Sequence, residues 1–366
     1  MKASEYLEEL ADGTVLDRAA AGSGSEVLSS SQRVGVVIIA AVLVVFAPIA
    51  DATSPFWLNI LTRILIFGLL AVSLDFIFGY AGLLSFGHAA MYGTGGYAAA
   101  WLISEVTTNA LVVLPLSIVV GCGVAAFIGW FSVRARGIYF AMLTLAFAQV
   151  FYVVILTDLP AQVLGVETIT GADDGLFGIA RYGVFGIELG GGLPYFYLTF
   201  GLVLASFAVL VRVANSPFGR VLQAIRENED RVEFIGYNVQ RYKLIAFTIS
   251  GGFAGLAGGL YVPFQSVASP GLLNWTVSGE LIVMLLLGGL GTFWGPILGA
   301  GVVIFLEEQL AGFATWEIIL GTVFVVVVIF APRGIAGSLE TLASDPRAAV
   351  ERTKEALSSY RESIKR

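Results

Sequence analysis

Apolar runs long enough to cross a bilayer follow one another along this chain. They give way at residues 213–243 to a polar stretch that carries RENEDRVE at 226–233. About 20 apolar residues traverse the hydrocarbon core, and there only helices or closed barrels satisfy every backbone amide and carbonyl. Residues 195–211 and 244–262, on either side of the interruption, both approach that length. The polar stretch is therefore a large loop inserted into a polytopic, all-α membrane protein. Composition agrees, because only 13% of residues are charged, 57% are hydrophobic and the mean hydropathy is +0.86. A soluble domain carries about 25% charged residues.

Apolar spans read at 34–50, 56–78, 83–103, 110–133, 138–156, 195–211, 244–262 and 315–331. Residues 281–310 would make an unusually long single helix, and GGLGTFWGP at 288–296 interrupts it with glycine and proline. Charge decides whether that break is a reversal, because short cytoplasmic loops hold the Lys and Arg excess. With ten crossings and residue 1 inside, the cytoplasmic segments hold 18 of the 20 basic residues, and only Arg63 and Arg181 fall elsewhere. With nine crossings the basic residues after 333 would lie outside. The expectation is about ten transmembrane helices in the plasma membrane, both ends cytoplasmic, with 288–296 a turn between two short helices. An acidic cytoplasmic tail (1–33), a transmembrane domain (34–332) and a cytoplasmic tail (333–366) follow, with 213–243 cytoplasmic and 158–194 external.

Several classes of chemistry drop out. The net charge of −7 comes mostly from the termini and loops and says little about a partner, and nucleic acid is a poor candidate. The single cysteine, Cys122, allows no intrachain disulfide, and a single histidine rules against a histidine-based metal site. No G-x-x-x-x-G-K-[ST] occurs, so nucleotide chemistry does not belong to this polypeptide. Residues 1–30 lack the apolar core of a cleaved signal peptide.

Two places invite a functional reading. In the loop, Ser216-Pro217 resembles a helix start, and Val221, Leu222 and Ile225, continued by Val232 and Ile235, form an apolar stripe. One or two amphipathic helices at the membrane surface are expected. The second place is a pair of glycine-interrupted segments, GYAGLLSFG at 79–87 and GGLGTFWG at 288–295, each between two spans and oriented alike. Such breaks at corresponding positions of two halves point to a solute route, although glycines also let helices approach closely. Gly82, Ser85, Gly87, His88, Gly288 and Gly291 are the candidates for that route. His88 could equally cap a helix or bond a backbone carbonyl. Asp75 joins them as the acid most clearly inside a span, where a carboxylate faces the bundle interior, a water-filled cavity or a partner. Arg63 lies twelve residues earlier, about 18 Å along a helix, so the two are not a simple pair. Gly251, Gly252, Gly255, Gly258 and Gly259 read as a close helix crossing.

Residues 216–261 resemble the cytoplasmic coupling loop and following helix of LivM-type permeases of branched-chain amino acid ABC transporters. Matches at 79–100, 136–150, 170–176 and 278–300 extend the resemblance from about residue 60 to 333, in the family's order. The resemblance implies one of two membrane subunits of an importer. Its partners would be a LivH-like second permease, two ABC ATPase subunits that use ATP and Mg, an extracytoplasmic solute-binding protein and the lipid bilayer. This chain itself would bind no cofactor and would not be an enzyme. Glu229, Asp230 and Gly236 fall on the family's acidic-to-glycine coupling motif, with Arg226 on the charged face before it. Small residues often follow the acidic position in that family, whereas Arg231 and Val232 stand here. The resemblance favours leucine, isoleucine and valine as solutes, while permeases of urea and short-chain amide importers share much of the pattern. A secondary transporter or channel would show ionisable groups within several spans, and Asp75 is the one that stands out.

Overall fold

The computed structural model describes residues 30–184 and 187–310, with residues 312, 318–319, 321–322, 324–325 and 334–337. Most of the expected tails, and most of the span at 315–331, lie outside the described residues. The chain divides into Met1–Leu43 and Val44–Arg366. Helix α1 (Ser30–Thr53) runs through that boundary, and every later element belongs to the second unit.

Helices α2 (Pro55–Ala81), α3 (His88–Glu105), α4 (Ala110–Ser132) and α5 (Ile138–Leu156) follow in order. The short α6 (Leu159–Leu164) precedes three two-residue strands, β1 (Leu176–Phe177), β2 (Gly183–Val184) and β3 (Ile187–Glu188). Then come α7 (Leu193–Ala214), the loop helices α8 (Pro217–Glu227) and α9 (Glu229–Phe234), and α10 (Val239–Gln265). A last strand, β4 (Val267–Ala268), and a 3-10 turn (Pro270–Leu273) lead to α11 (Trp275–Gly288) and α12 (Gly295–Leu310). Among the described residues, α2, α4, α5, α7 and α10 are long and apolar enough to cross a membrane, and α1, α3, α11 and α12 are further apolar helices. The chain is a multi-pass, all-α membrane protein.

The break at 288–296 is a reversal. Helices α11 and α12 pack against each other, and glycines set their separation: a Cβ on Gly288 would strike the Gly295 carbonyl, and one on Gly299 the Met284 carbonyl. The expected span 83–103 starts later than its apolar run. Gly82, at φ +70°, ends α2 in the left-handed conformation, with Gly82 N–H donating to Phe78 (3.2 Å) and Leu83 N–H to Ile77 (3.1 Å). Residues 82–87 are consequently a turn, and α3 starts at His88.

Helix α10 packs on α4, α3 and α2. The expected glycine crossing is there: a Cβ on Gly255 would lie 2.9 Å from Gly121 Cα, and one on Gly95 would lie 2.5 Å from Gly255 Cα. At one end of this unit, Leu176 pairs with Ala268 and Phe177 with Val267, which ties the 158–194 loop to the α10–α11 connection. Asp158 organises the start of that loop by accepting from Thr168 Oγ1 (2.7 Å), Ile169 N–H (2.9 Å) and Thr170 N–H (3.1 Å). The turns at 82–87 and 289–294 lie at the other end with α8 and α9. Ile138, Tyr139 and Met142 on α5 and Val119 and Trp130 on α4 are exposed, as a lipid-facing surface requires.

Candidate coupling and translocation site

The polar loop, expected to form one or two amphipathic helices, forms two, α8 and α9. Ser216 caps α8 with proline at the first helical position, and Asn228 caps α9 by accepting from Arg231 N–H at 2.9 Å. Leu222, Ile225 and Val232 of the predicted stripe are buried, but Ile235 is 69% exposed. Helix α9 ends at Phe234, and the chain turns before the stripe can continue. Phe234 (90% exposed), Ile235 and Tyr237 therefore form an apolar tip beside an acidic helix.

That helix is strapped to the rest of the unit by two cations. Arg136 Nη1 donates to Asp230 at 2.8 Å, its Nε lies 3.1 Å from Glu229, and Glu233 is 3.9 Å away. These bonds, led by the one to Asp230, hold the Arg136 guanidinium above its ordinary pKa. Lys243, only 1% exposed in the second turn of α10, pairs with the other oxygen of Glu229. A cation that deeply buried is tolerable only when paired. Gly236, which follows α9, sits at φ +94°, and a Cβ there would meet nothing within 4 Å. Space is open at that position, so the constraint is the left-handed backbone rather than bulk.

Arg226 points inward. Its Nη1 donates to the Gly79 carbonyl near the end of α2. A Cβ on Gly82 would lie 3.2 Å from Arg226 Cγ, and one on Gly291 3.8 Å from Nη1. A cleft of about 360 Å³ at this junction is lined by Gly79, Tyr80, Gln223, Arg226, Glu227 and Gly291. Asp75 lies behind it, fully buried, accepting from Gly291 N–H (2.7 Å) and Phe293 N–H (3.2 Å). Its two oxygens thus satisfy two backbone amides of the 289–294 turn, which would be costly to bury unpaired. Arg226 is the cation within electrostatic range of this carboxylate. The Tyr80 and Phe293 rings pack at 4.8 Å between centroids. Asp75, Gly79, Gly288, Gly291 and Arg226 therefore belong to one neighbourhood.

Gly82, packed on Arg226, belongs there too, while Ser85, Gly87 and His88 belong to a second. Ser85 and His88 are fully buried. Ser85 Oγ accepts from Gly87 N–H at 3.0 Å, and Thr144 of α5 accepts from Phe86 N–H at 3.1 Å. Ser278 of α11 accepts from Ala89 N–H (3.0 Å) and donates to Phe86 O (2.8 Å). Ser250 of α10 donates to the Ser73 carbonyl, so its oxygen accepts from His88 Nε2–H at 2.8 Å. That assigns the tautomer and leaves His88 Nδ1 as an acceptor without a partner among the described residues. Sequence reasoning missed Arg136 and Lys243 as straps and Thr144, Ser250 and Ser278 as fasteners. A lone lysine heading an apolar span was the one available signal.

Residues 56–331 match the family described as branched-chain amino acid transport system, permease component. The chain is 29% identical over 301 residues to the high-affinity branched-chain amino acid transport system permease protein LivM of Salmonella typhimurium, covering 76% of this chain and 69% of that one. It is 28% identical over 158 residues to the probable permease LivH of Methanocaldococcus jannaschii, covering 39% and 48%. It is 25% identical over 260 residues to the ribose import permease RbsC of Haemophilus influenzae, covering 69% and 76%. No solved structure matches the chain.

Proposed function

The chain belongs to the branched-chain amino acid transport permease family, and from that premise we propose that it is a membrane subunit of an ATP-driven importer of leucine, isoleucine and valine. It works beside a LivH-like second permease, two ATPase subunits and an extracytoplasmic solute receptor. Both chain ends and the α8–α9 loop face the cytoplasm, where 18 of the 20 basic residues then lie.

The observation that carries the reading is the α8–α9 unit. It presents Phe234, Ile235 and Tyr237 outward while Arg226 reaches inward to the Gly79 carbonyl. An ATPase that grips the tip would displace Arg226, and through it the 289–294 turn that Asp75 holds. Two packed arrangements of a few rigid helices can transmit such a shift. Glu229 and Asp230 serve this unit from within, since Arg136 and Lys243 strap them to the membrane helices.

Reconstitution with the co-encoded ATPases, second permease and receptor tests the proposal. ATP-dependent leucine uptake that valine and isoleucine compete is the expected result. Competition by urea but not leucine would reassign the solute, and uptake by this chain alone would remove the ATPase partnership.

A further inference from the structure

The cleft between α8 and the ends of the membrane helices holds two polar groups, Gln223 and Glu227, that have no task in coupling. A volume of about 360 Å³ lies between Gln223, Arg226 and Glu227 on one wall and Gly79, Tyr80 and Gly291 on the other. Sites for small molecules begin at about 300 Å³. Phe234, Ile235 and Tyr237 do not line it, so the surface proposed for the ATPase is a different one.

Residues 223, 226 and 227 are three and four apart on α8 and share a face, and all three are exposed. On the topology proposed above they open to the cytoplasm. The Gln223 and Glu227 side chains make no hydrogen bond or ion pair among the described residues. Arg226 and Glu227 do not pair with each other, because consecutive helical residues point about 100° apart. A molecule between them that carries both charges can bridge what the two side chains cannot.

Arg226 spends its Nη1 on a neutral acceptor, the Gly79 carbonyl. A carboxylate is a stronger acceptor for a guanidinium and engages it at two points, so one entering the cleft would take that donor from Gly79. Glu227, one residue on, then stands ready for an ammonium. The far wall supplies one tyrosine and two glycines, so recognition falls on the charged head of the ligand rather than on its side chain.

We propose that this cleft is a cytoplasmic site for a free α-amino acid, with its carboxylate on Arg226, its ammonium on Glu227 and the Gln223 amide as a further hydrogen-bonding group, and that occupancy draws Arg226 off Gly79. The inference rests on the transport reading above and adds a site at which the imported product slows its own import.

Proteoliposomes that hold the complete transporter, with ATP inside and leucine-loaded receptor outside, test it when filled beforehand with unlabelled leucine at millimolar concentration. Initial uptake of labelled leucine is expected to fall about tenfold, the effect of one lost hydrogen bond to a charged group, while ATP hydrolysis continues. Internal valine should act alike. Isocaproate, which lacks the ammonium, and leucinamide, which lacks the carboxylate, should leave the rate near that of empty vesicles. Glu227→Gln is expected to match wild type in empty vesicles and to ignore internal leucine. Wild-type uptake that internal leucine does not slow, or a Glu227→Gln variant slowed as much as wild type, overturns the site. Isocaproate or leucinamide as effective as leucine overturns it too, and that comparison on wild type decides the matter if Glu227→Gln fails to assemble. A wild-type complex that moves no amino acid into empty vesicles overturns the transport reading, and this inference with it.

Discussion

The turn at 82–87 is fastened by hydroxyls from three neighbouring helices, Thr144, Ser250 and Ser278, with His88 completing the set. At the turn 289–294, Asp75 is the side chain of another helix that accepts from the backbone amides. Beside it stand the turn's own Thr292, which donates to Gly289 O and accepts from Gly295 N–H, and a 3.5 Å bond from Tyr80. Arg226 of the loop helices lies between the two turns, 3.2 Å from a Cβ on Gly82 and 3.8 Å from one on Gly291. Both are written with the same glycine, aromatic and small residues, and both lie at the same end of the unit. Many neutral bonds, each worth about 0.5–1.5 kcal/mol net, tolerate the loss of any one. A single buried charge concentrates much of the same task in one residue. On this account the first turn is the fixed point of the structure and the second is the part that the loop helices move.

Breaking the second turn at its source should have the largest effect. Asp75→Ala leaves two buried amides unpaired and is expected to cost about 2–5 kcal/mol, read as loss of assembled complex or a lower Tm. Asp75→Asn keeps one acceptor and should cost less, about 1–3 kcal/mol. Full uptake and wild-type Tm in Asp75→Ala would show that the turn is held by something else. Next comes Gly236, whose φ of +94° strains any L side chain by about 1–3 kcal/mol. Because nothing crowds that position, Ala and Leu should impair ATP-driven uptake alike. A graded dependence on side-chain size would mean that bulk, not handedness, is limiting.

The fixed turn should answer more mildly. Ser250→Ala or Thr144→Val is expected to cost about 1 kcal/mol in thermal unfolding while leucine uptake continues. Abolished uptake at unchanged Tm would place this turn in the moving part. The smallest effect is expected at Asp158, which repeats the Asp75 device at the start of the 158–194 loop. Burial pushes its carboxyl up, but bonds from Ile169, Thr168 and Thr170 outweigh this and hold its pKa below the ordinary value. A depressed folded-state pKa contributes stability above the ordinary carboxylate range, and that contribution fades as pH falls through the folded value. Asp158→Asn should therefore flatten the acid limb of a Tm-against-pH curve and leave the neutral region nearly level. An unchanged acid limb would remove Asp158 from the loop's support.

Much of the fold was legible in the chain because membrane insertion leaves simple marks. The asymmetry of Lys and Arg called for a reversal at 288–296, and α11 and α12 are separated there. Ser216-Pro217 announced α8, and the Leu222, Ile225 and Val232 stripe faces inward. Ile235 broke the pattern because periodicity continues through a helix end that only Gly236 enforces. What the chain could not disclose were pairings between distant segments. Asp75 was readable as an intramembrane carboxylate facing the bundle interior, a water-filled cavity or a partner, but its partners are amides more than 200 residues away. Glu229 was readable as part of a charged face, while its pairing with the buried Lys243 depends on where α10 begins. Arg63 looked isolated for the same reason, since Glu307 stands at the far end of the described helices.

The central claim is that Arg226 transmits the state of α8 and α9 to the turn held by Asp75. Its most direct measurement is the ratio of leucine moved to ATP hydrolysed for Arg226→Met in the reconstituted complex, a change that keeps an unbranched side chain and removes the donor to Gly79. The account predicts continued hydrolysis with uptake reduced about tenfold or more, since one charge-assisted bond carries the link. A wild-type ratio in that variant would contradict it.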